Sequence, residues 1–149
     1  MPFAAWNAEQ AQSIIAAEAD RDGPLLPVLH ALNSTFGRVP ADAVPLIAHT
    51  LNLSRAEVHG VISFYHDFRE TPPPAHVLKL CRAEACQARG GEVLAASTRT
   101  ALAARADVSL EAVYCLGLCA SGPAGMIDGR IVARLDDAKL AALLAEAGA

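Results

Sequence analysis

Several signatures that commonly betray an activity are missing from this sequence. There is no G-x-G-x-x-G and no G-x-x-x-x-G-K-[ST], so neither a dinucleotide fingerprint nor a phosphate-cradling loop is present. Ser13, Ser34, Ser54 and Ser63 stand in no nucleophile-elbow context. The longest apolar stretches fall far short of the ~20 residues of a spanning helix. The opening from Met1 to Glu9 lacks a basic start followed by an apolar run, so no secretion signal is expected. No block of like charge resembles an interaction tail. A formal net charge of −4 gives no electrostatic ground for nucleic acid or an anionic membrane as partner. These absences predict a cytoplasmic protein, and the cytosol keeps thiols reduced.

The 149 residues, 53% of them hydrophobic, can build one ordinary core or two small ones. The pattern changes at the run Pro72-Pro73-Pro74. Before it, four helices are predicted: Asn7 to Ala19, Pro24 to Phe36, Ala41 to Leu51, and one beginning at Ser54. Leu25, Leu26, Val28, Leu29 and Leu32 make a helical stripe. Gly37 stands at a natural C′ position. Ser54 and Glu57 have capping-box spacing. After the prolines come a β-prone run at Val77 to Leu80 and an alanine-rich helix from Glu84 to Ala104, interrupted by Gly90-Gly91. A strand at Val108 to Tyr114 follows. Gly125 to Ile127 and Ile131 to Leu135 flank the hairpin signal Asp128-Gly129. Asp136 to Ala147 make a closing helix. The expected fold class is therefore α+β: a small helical bundle over residues 1–71, then a β-α-β-β-β-α domain over residues 75–149.

The four cysteines fall in two pairs, Cys81 with Cys86 in CRAEAC and Cys115 with Cys119 in CLGLC. Each pair follows a predicted strand. If those strands are neighbours in one sheet, both loops emerge at one end and the thiols converge. A zinc ribbon usually has two tight pairs, and gaps of four and three sit at the long edge of its range. No histidine follows His76, which removes a Rieske-type set. C-x-x-C is absent, which argues against thiol exchange. Looser pairs suit the wider core of a [2Fe-2S] cluster; zinc and structural disulfides stay open on spacing alone. The negative charge of such a cluster would be eased by backbone N–H groups at Gly117 and Gly122, by the helix N-terminus near Cys86, and by Arg82 and Arg89. Leu116, Leu118, Pro123 and Met126 could shield it. His30, His49, His59 and His66 are taken as packing or surface residues, and Phe64, Tyr65 and Phe68 as packing of the helical region or a face toward a partner.

The stretches GVISFYHDFRETPP (Gly60 to Pro73), CRAEACQARGG and CLGLCASGPAGMIDGR carry a resemblance. Together they resemble the thioredoxin-like [2Fe-2S] subunits that accompany NADH-oxidising flavoproteins. That family includes a small subunit of respiratory complex I, a subunit of bidirectional NAD-linked hydrogenases, and the gamma subunit of NAD-dependent formate dehydrogenases. The resemblance implies a thioredoxin-like ferredoxin domain with Cys81, Cys86, Cys115 and Cys119 as ligands of one [2Fe-2S] cluster. It implies a one-electron carrier, docked on a partner subunit that holds FMN and NAD, with no turnover by the chain alone. The short chain and FYHDFR look most like the formate dehydrogenase subunit. Two departures stand out: a short segment between the cysteine pairs, and Gly125 where the family often has a branched residue, which is expected to loosen the hairpin.

Overall fold

The structure, a computed structural model, describes residues 3–147. Met1, Pro2, Gly148 and Ala149, at the outer ends of the two expected domains, lie outside the described residues. The chain forms two compact units that divide in sequence between Pro73 and Pro74. No helix among the described residues is long and apolar enough to cross a membrane.

The first unit contains α1 (Ala8–Glu18), α2 (Leu25–Phe36), α3 (Ala43–Thr50) and α4 (Arg55–Phe64). Local chemistry sets their ends. Asn7 caps α1 by accepting from the Gln10 N–H at 2.9 Å. Gly37 closes α2 with φ +69°, a left-handed residue that glycine adopts without a Cβ penalty. Ser54 and Glu57 form the expected capping box on α4: the Ser54 hydroxyl accepts from the Glu57 N–H, and the Glu57 carboxylate accepts from the Ser54 N–H. The four helices bury Ile15, Leu29, Leu32, Phe36, Ile47 and Val58 in one core. Trp6 lies edge-on to Phe36 at 5.2 Å.

Removing the cap with Ser54→Ala leaves first-turn donors of α4 without their partner. It is expected to cost about 1 kcal/mol. Urea unfolding followed by Trp6 fluorescence should show the midpoint move down with the slope unchanged.

Of the two readings of the aromatic cluster, packing of the helical region holds for Phe68 and not for Phe64. Phe68 is buried and takes His30 edge-on at 5.0 Å. Phe64 and Tyr65 are 73% and 43% exposed. The helix stops at Phe64 and Tyr65 turns to extended backbone; the Phe64 ring stands out from the core, while Tyr65 meets it edge-on at 5.1 Å and lies 5.8 Å from the buried Phe68 ring.

The second unit contains β1 (His76–Cys81), α5 (Glu84–Gln87), α6 (Gly91–Ala101), β2 (Val108–Val113), β3 (Gly125–Ile127), β4 (Arg130–Val132) and α7 (Asp137–Ala147). The single helix expected from Glu84 to Ala104 is two. Gly90 takes φ +89°, breaks the chain between them, and α6 ends at Ala101. The four strands lie in the order β2-β1-β3-β4. β1 and β2 run parallel with Cys81 opposite Val113, while β1–β3 and β3–β4 are antiparallel. Asp128 and Gly129 both have positive φ, the geometry of the primed turn that matches strand twist. The Asp128 carboxylate accepts from the Val77 N–H at 2.8 Å and meets His76 Nδ1 at 2.7 Å, tying the hairpin turn to the start of β1.

Leu78, Leu80 and Ile127 pack with Leu94 and Leu102 and with Leu140 and Leu144, so α6 and α7 cover one face of the sheet. On the opposite face the register partners Lys79 and Glu111 pair at 3.8 Å. Asp136 starts α7 by accepting from the Lys139 N–H at 2.8 Å.

The turn into β2 is held by Arg105, whose Nε and Nη2 donate to Asp107 at 2.8 and 2.6 Å. The guanidinium pulls the Asp107 carboxyl from its usual 3.8 to about 2. Because the folded value lies below the unfolded one, this pairing stabilises the protein above about pH 4, and the benefit fades as pH falls toward 2. Asp107→Asn should thus be less stable than the parent at pH 6. The two urea midpoints should converge between about pH 4 and pH 2, measured side by side.

Candidate functional site

Both cysteine pairs lie where parallel strands end. Cys81 is the last residue of β1, and Cys115 follows β2 by two residues. Because β1 and β2 are parallel neighbours, their C-terminal loops leave the sheet at the same end. Cys86 lies inside the four-residue α5, and Cys119 opens a short 3-10 turn. All four are free thiols.

The pairs differ in exposure. Cys81 and Cys86 are 4% and 2% exposed and pack with Ala124, Ala83, Val113, Leu116 and Leu118. Cys115 and Cys119 are exposed, with their Sγ atoms 3.8 Å apart. Tyr114 beside them is 75% exposed.

Backbone donors are aimed at the sulfurs. Cys115 has φ +78°, a costly conformation for a residue with a side chain. This turn directs its own N–H and that of Leu116 at the Cys81 sulfur, which also receives the Ala83 N–H. Burial opposes ionisation of Cys81. The three amides and the Cys86 thiol outweigh it, and the Cys81 thiol is held below its usual range. Cys86 is pushed up, first by burial and then by donating to Cys81, although the Ala124 N–H pulls the other way. Cys119 is raised chiefly by its hydrogen bond with Cys115. The Gly117 N–H reaches Cys115 Sγ at 3.4 Å.

This donor set fits a [2Fe-2S] group. The thiols stand as two pairs, Cys86 hydrogen-bonded to Cys81 and Cys115 3.8 Å from Cys119. A two-iron core takes two thiolates on each iron, whereas tetrahedral zinc needs four donors about one point. Amides directed at sulfur are the groups that stabilise a negatively charged cluster.

Some expected contributors behave differently. Gly122 provides space, because a Cβ there would stand 3.1 Å from Cys86 Sγ. Gly91 is equally constrained, with a virtual Cβ 2.7 Å from the Cys86 carbonyl oxygen. The expected helix dipole at Cys86 is that of one short turn and contributes little, since a macrodipole needs aligned peptides over several turns. Arg82 is committed to Glu92 through two hydrogen bonds. Leu116 and Leu118 pack on the buried pair, while Met126 lies across from Lys79 in the sheet register. The donors at Ala83, Cys115, Leu116 and Ala124 are main-chain groups, and no residue identity announces them.

Residues 11–148 match the thioredoxin-like [2Fe-2S] ferredoxin family. The chain belongs to that family. Among similar members is the NADP-reducing hydrogenase subunit HndA of Solidesulfovibrio fructosivorans, 27% identical over 85% of this chain and 78% of its own length. An NADH-quinone oxidoreductase subunit of Pseudomonas aeruginosa is 31% identical over 69% of this chain. Its counterpart in Escherichia coli is 30% identical over 69%. This chain spans 66% of the length of each of those two proteins. The crystal structure of an air-oxidized NAD+-reducing [NiFe]-hydrogenase superposes with a TM-score of 0.69 at 28% identity. The match covers 83% of this chain and 22% of that one. Membership of this thioredoxin-like ferredoxin family agrees with the α+β architecture and the four-stranded mixed sheet.

Proposed function

We propose that this chain is the one-electron carrier subunit of a cytoplasmic NAD-linked oxidoreductase, holding one [2Fe-2S] cluster on Cys81, Cys86, Cys115 and Cys119. The observation that carries the proposal is the meeting of two cysteine loops at one end of parallel strands, with main-chain amides turned onto the sulfurs. When bound, the cluster supplies reversible one-electron storage, which complements a flavin that takes electrons in pairs. The chain's own residues do the rest. Cys81 and Cys86, with Leu116 and Leu118, hold one side away from water. Cys115 and Cys119 present the other side at the surface, where an FMN- and NAD-binding partner would dock. Residues 1–71 and 75–149 serve as the helical and the cluster-bearing domains.

Within the family, the enzyme we assign is an NAD-dependent formate dehydrogenase, on the resemblance of the Phe64–Arg69 segment. The names of the relatives favour a second reading, the equivalent subunit of complex I or of an NAD-linked hydrogenase.

Anaerobic purification tests the site. The expected result is two irons and two acid-labile sulfides per chain, visible colour, and a paramagnetic signal after one-electron reduction. A colourless chain with one zinc and no iron would overturn it. Affinity purification of the tagged chain with its natural partners, followed by assay with formate, hydrogen or NADH plus quinone, decides between the complexes. Absence of formate-dependent NAD+ reduction from an otherwise active assembly removes the formate assignment.

A further inference from the structure

One arginine lies within the first cysteine loop and another just after it, and the structure separates their roles. Arg82 donates through Nε and Nη2 to the Glu92 carboxylate, so its positive charge is cancelled within the protein. Arg89 has no side-chain hydrogen bond or ion pair among the described residues. Its stem is nevertheless placed. Its Cδ lies 3.2 Å from the point a Cβ on Gly122 would occupy, and Cys86 Sγ lies 3.1 Å from that same point. The bare backbone of Gly122 thus forms a slot with the Arg89 stem on one side and the Cys86 sulfur on the other. The guanidinium beyond that stem is exposed, uncompensated and tethered beside the more buried sulfur pair.

A cation held there acts on the charge that the centre gains. A cluster with four thiolates changes formally from about −2 to about −3 when it takes up one electron, with no bond made or broken. A fixed, uncompensated cation nearby favours the −3 state over the −2 state. A cation already paired with a carboxylate presents a dipole, whose effect falls off faster with distance.

We propose that Arg89 is the positioning residue that raises the reduction potential of the centre, and that the Arg82–Glu92 pair is electrostatically neutral toward it. The inference rests on the cluster assignment made above. Gly122 belongs to the device, because any side chain there would push the Arg89 stem away from Cys86.

The test is the midpoint potential of the intact, cluster-loaded chain in a spectroelectrochemical cell, compared among four proteins. In Arg89→Gln, poised at the parent's midpoint, the ratio of reduced to oxidised centre should fall about three- to tenfold, as for loss of one exposed charge near the site. For a one-electron couple that is a negative shift of roughly 28 to 59 mV. Arg89→Lys keeps the charge and should stay within twofold of the parent. The double variant Arg82→Gln/Glu92→Gln removes a neutral pair and should also stay within twofold. Because Arg89 is exposed, the shift in Arg89→Gln should shrink in high salt. An unchanged potential in Arg89→Gln with full iron content overturns the proposal, as does an equal shift in the double variant. If Arg89→Gln does not load, Arg89→Lys decides: a potential displaced as far as threefold despite the retained charge refutes the electrostatic role. A parent chain holding no iron would sink the cluster assignment itself, an outcome distinct from either of these.

Discussion

Cys86→Ser loses the centre almost completely, with bound iron and visible absorbance falling by at least about tenfold. The reason is the environment of that sulfur. A serine must ionise to replace a thiolate, and an alkoxide at a position 2% exposed has no water to solvate it. Burial already pushes the Cys86 thiol upward, and an alcohol, far less acidic, would suffer more. Oxygen is also smaller than sulfur, so the slot against Gly122 would be left slack. Cys119→Ser is the informative counterpart. Cys119 is exposed, water can share the charge there, and a partial centre with altered colour should survive. Iron analysis and absorbance on both variants, purified identically, check the order. Full colour in Cys86→Ser, or a heavier loss in Cys119→Ser, would contradict this account of the site.

Gly125→Val is expected to destabilise the cluster-bearing unit by about 3 kcal/mol, at the upper end for overpacking. For a unit of this size that lowers the thermal midpoint by on the order of 15 °C. A Cβ at this position would stand 2.8 Å from Leu135 Cδ1, 3.0 Å from Leu80 Cδ2 and 3.0 Å from the Lys79 carbonyl oxygen. The leucine ends can shift, but the Lys79 oxygen belongs to β1, which β2 and β3 hold on both sides. Gly125 pairs with Leu80, the residue before Cys81, so the strain would arrive directly at the first cysteine of the candidate site. Circular dichroism during heating of the metal-free chain gives the shift, and Gly125→Ala should fall between parent and valine. A valine variant as stable as the parent would mean that the sheet yields far more than its packing suggests.

That glycine marks where reading the sequence alone goes astray. A missing branched side chain in a strand predicts a looser hairpin, because glycine packs nothing and costs entropy. In the fold, Leu80 and Leu135 occupy the space that the side chain would need. The information lay in two distant leucines. The helix across Glu84 to Ala104 failed for a related reason. Alanine-rich composition predicts continuity, but Gly91 must sit against the Cys86 carbonyl, and Gly90 makes the left-handed bend that brings it there. Arg82 looked like a ligand-side charge until the fold brought Glu92 onto it from α6.

Other features were legible because they are local or periodic. The capping box at Ser54 and Glu57, the stop at Gly37 and the Asp128-Gly129 turn each depend on residues within one turn of one another. The convergence of the two cysteine pairs followed from one inference, that parallel neighbours deliver their loops to the same end. The amides that serve the sulfurs were invisible, since every residue except proline carries one.

The parallel pairing of β1 with β2 also dictates an order of events during maturation. Parallel strands cannot close through a tight hairpin; residues 82–107 must first be laid down as a crossover. Until then, the thiols of Cys81 and Cys115 hang on opposite ends of a floppy tether, and bringing them together carries the full loop-closure entropy. Leucines from β1, α6 and α7 can offset that entropy without any iron, since none of them touches the sulfurs within their own cluster. The sheet and its two covering helices would therefore bring the two cysteine loops together with no help from a bound metal group.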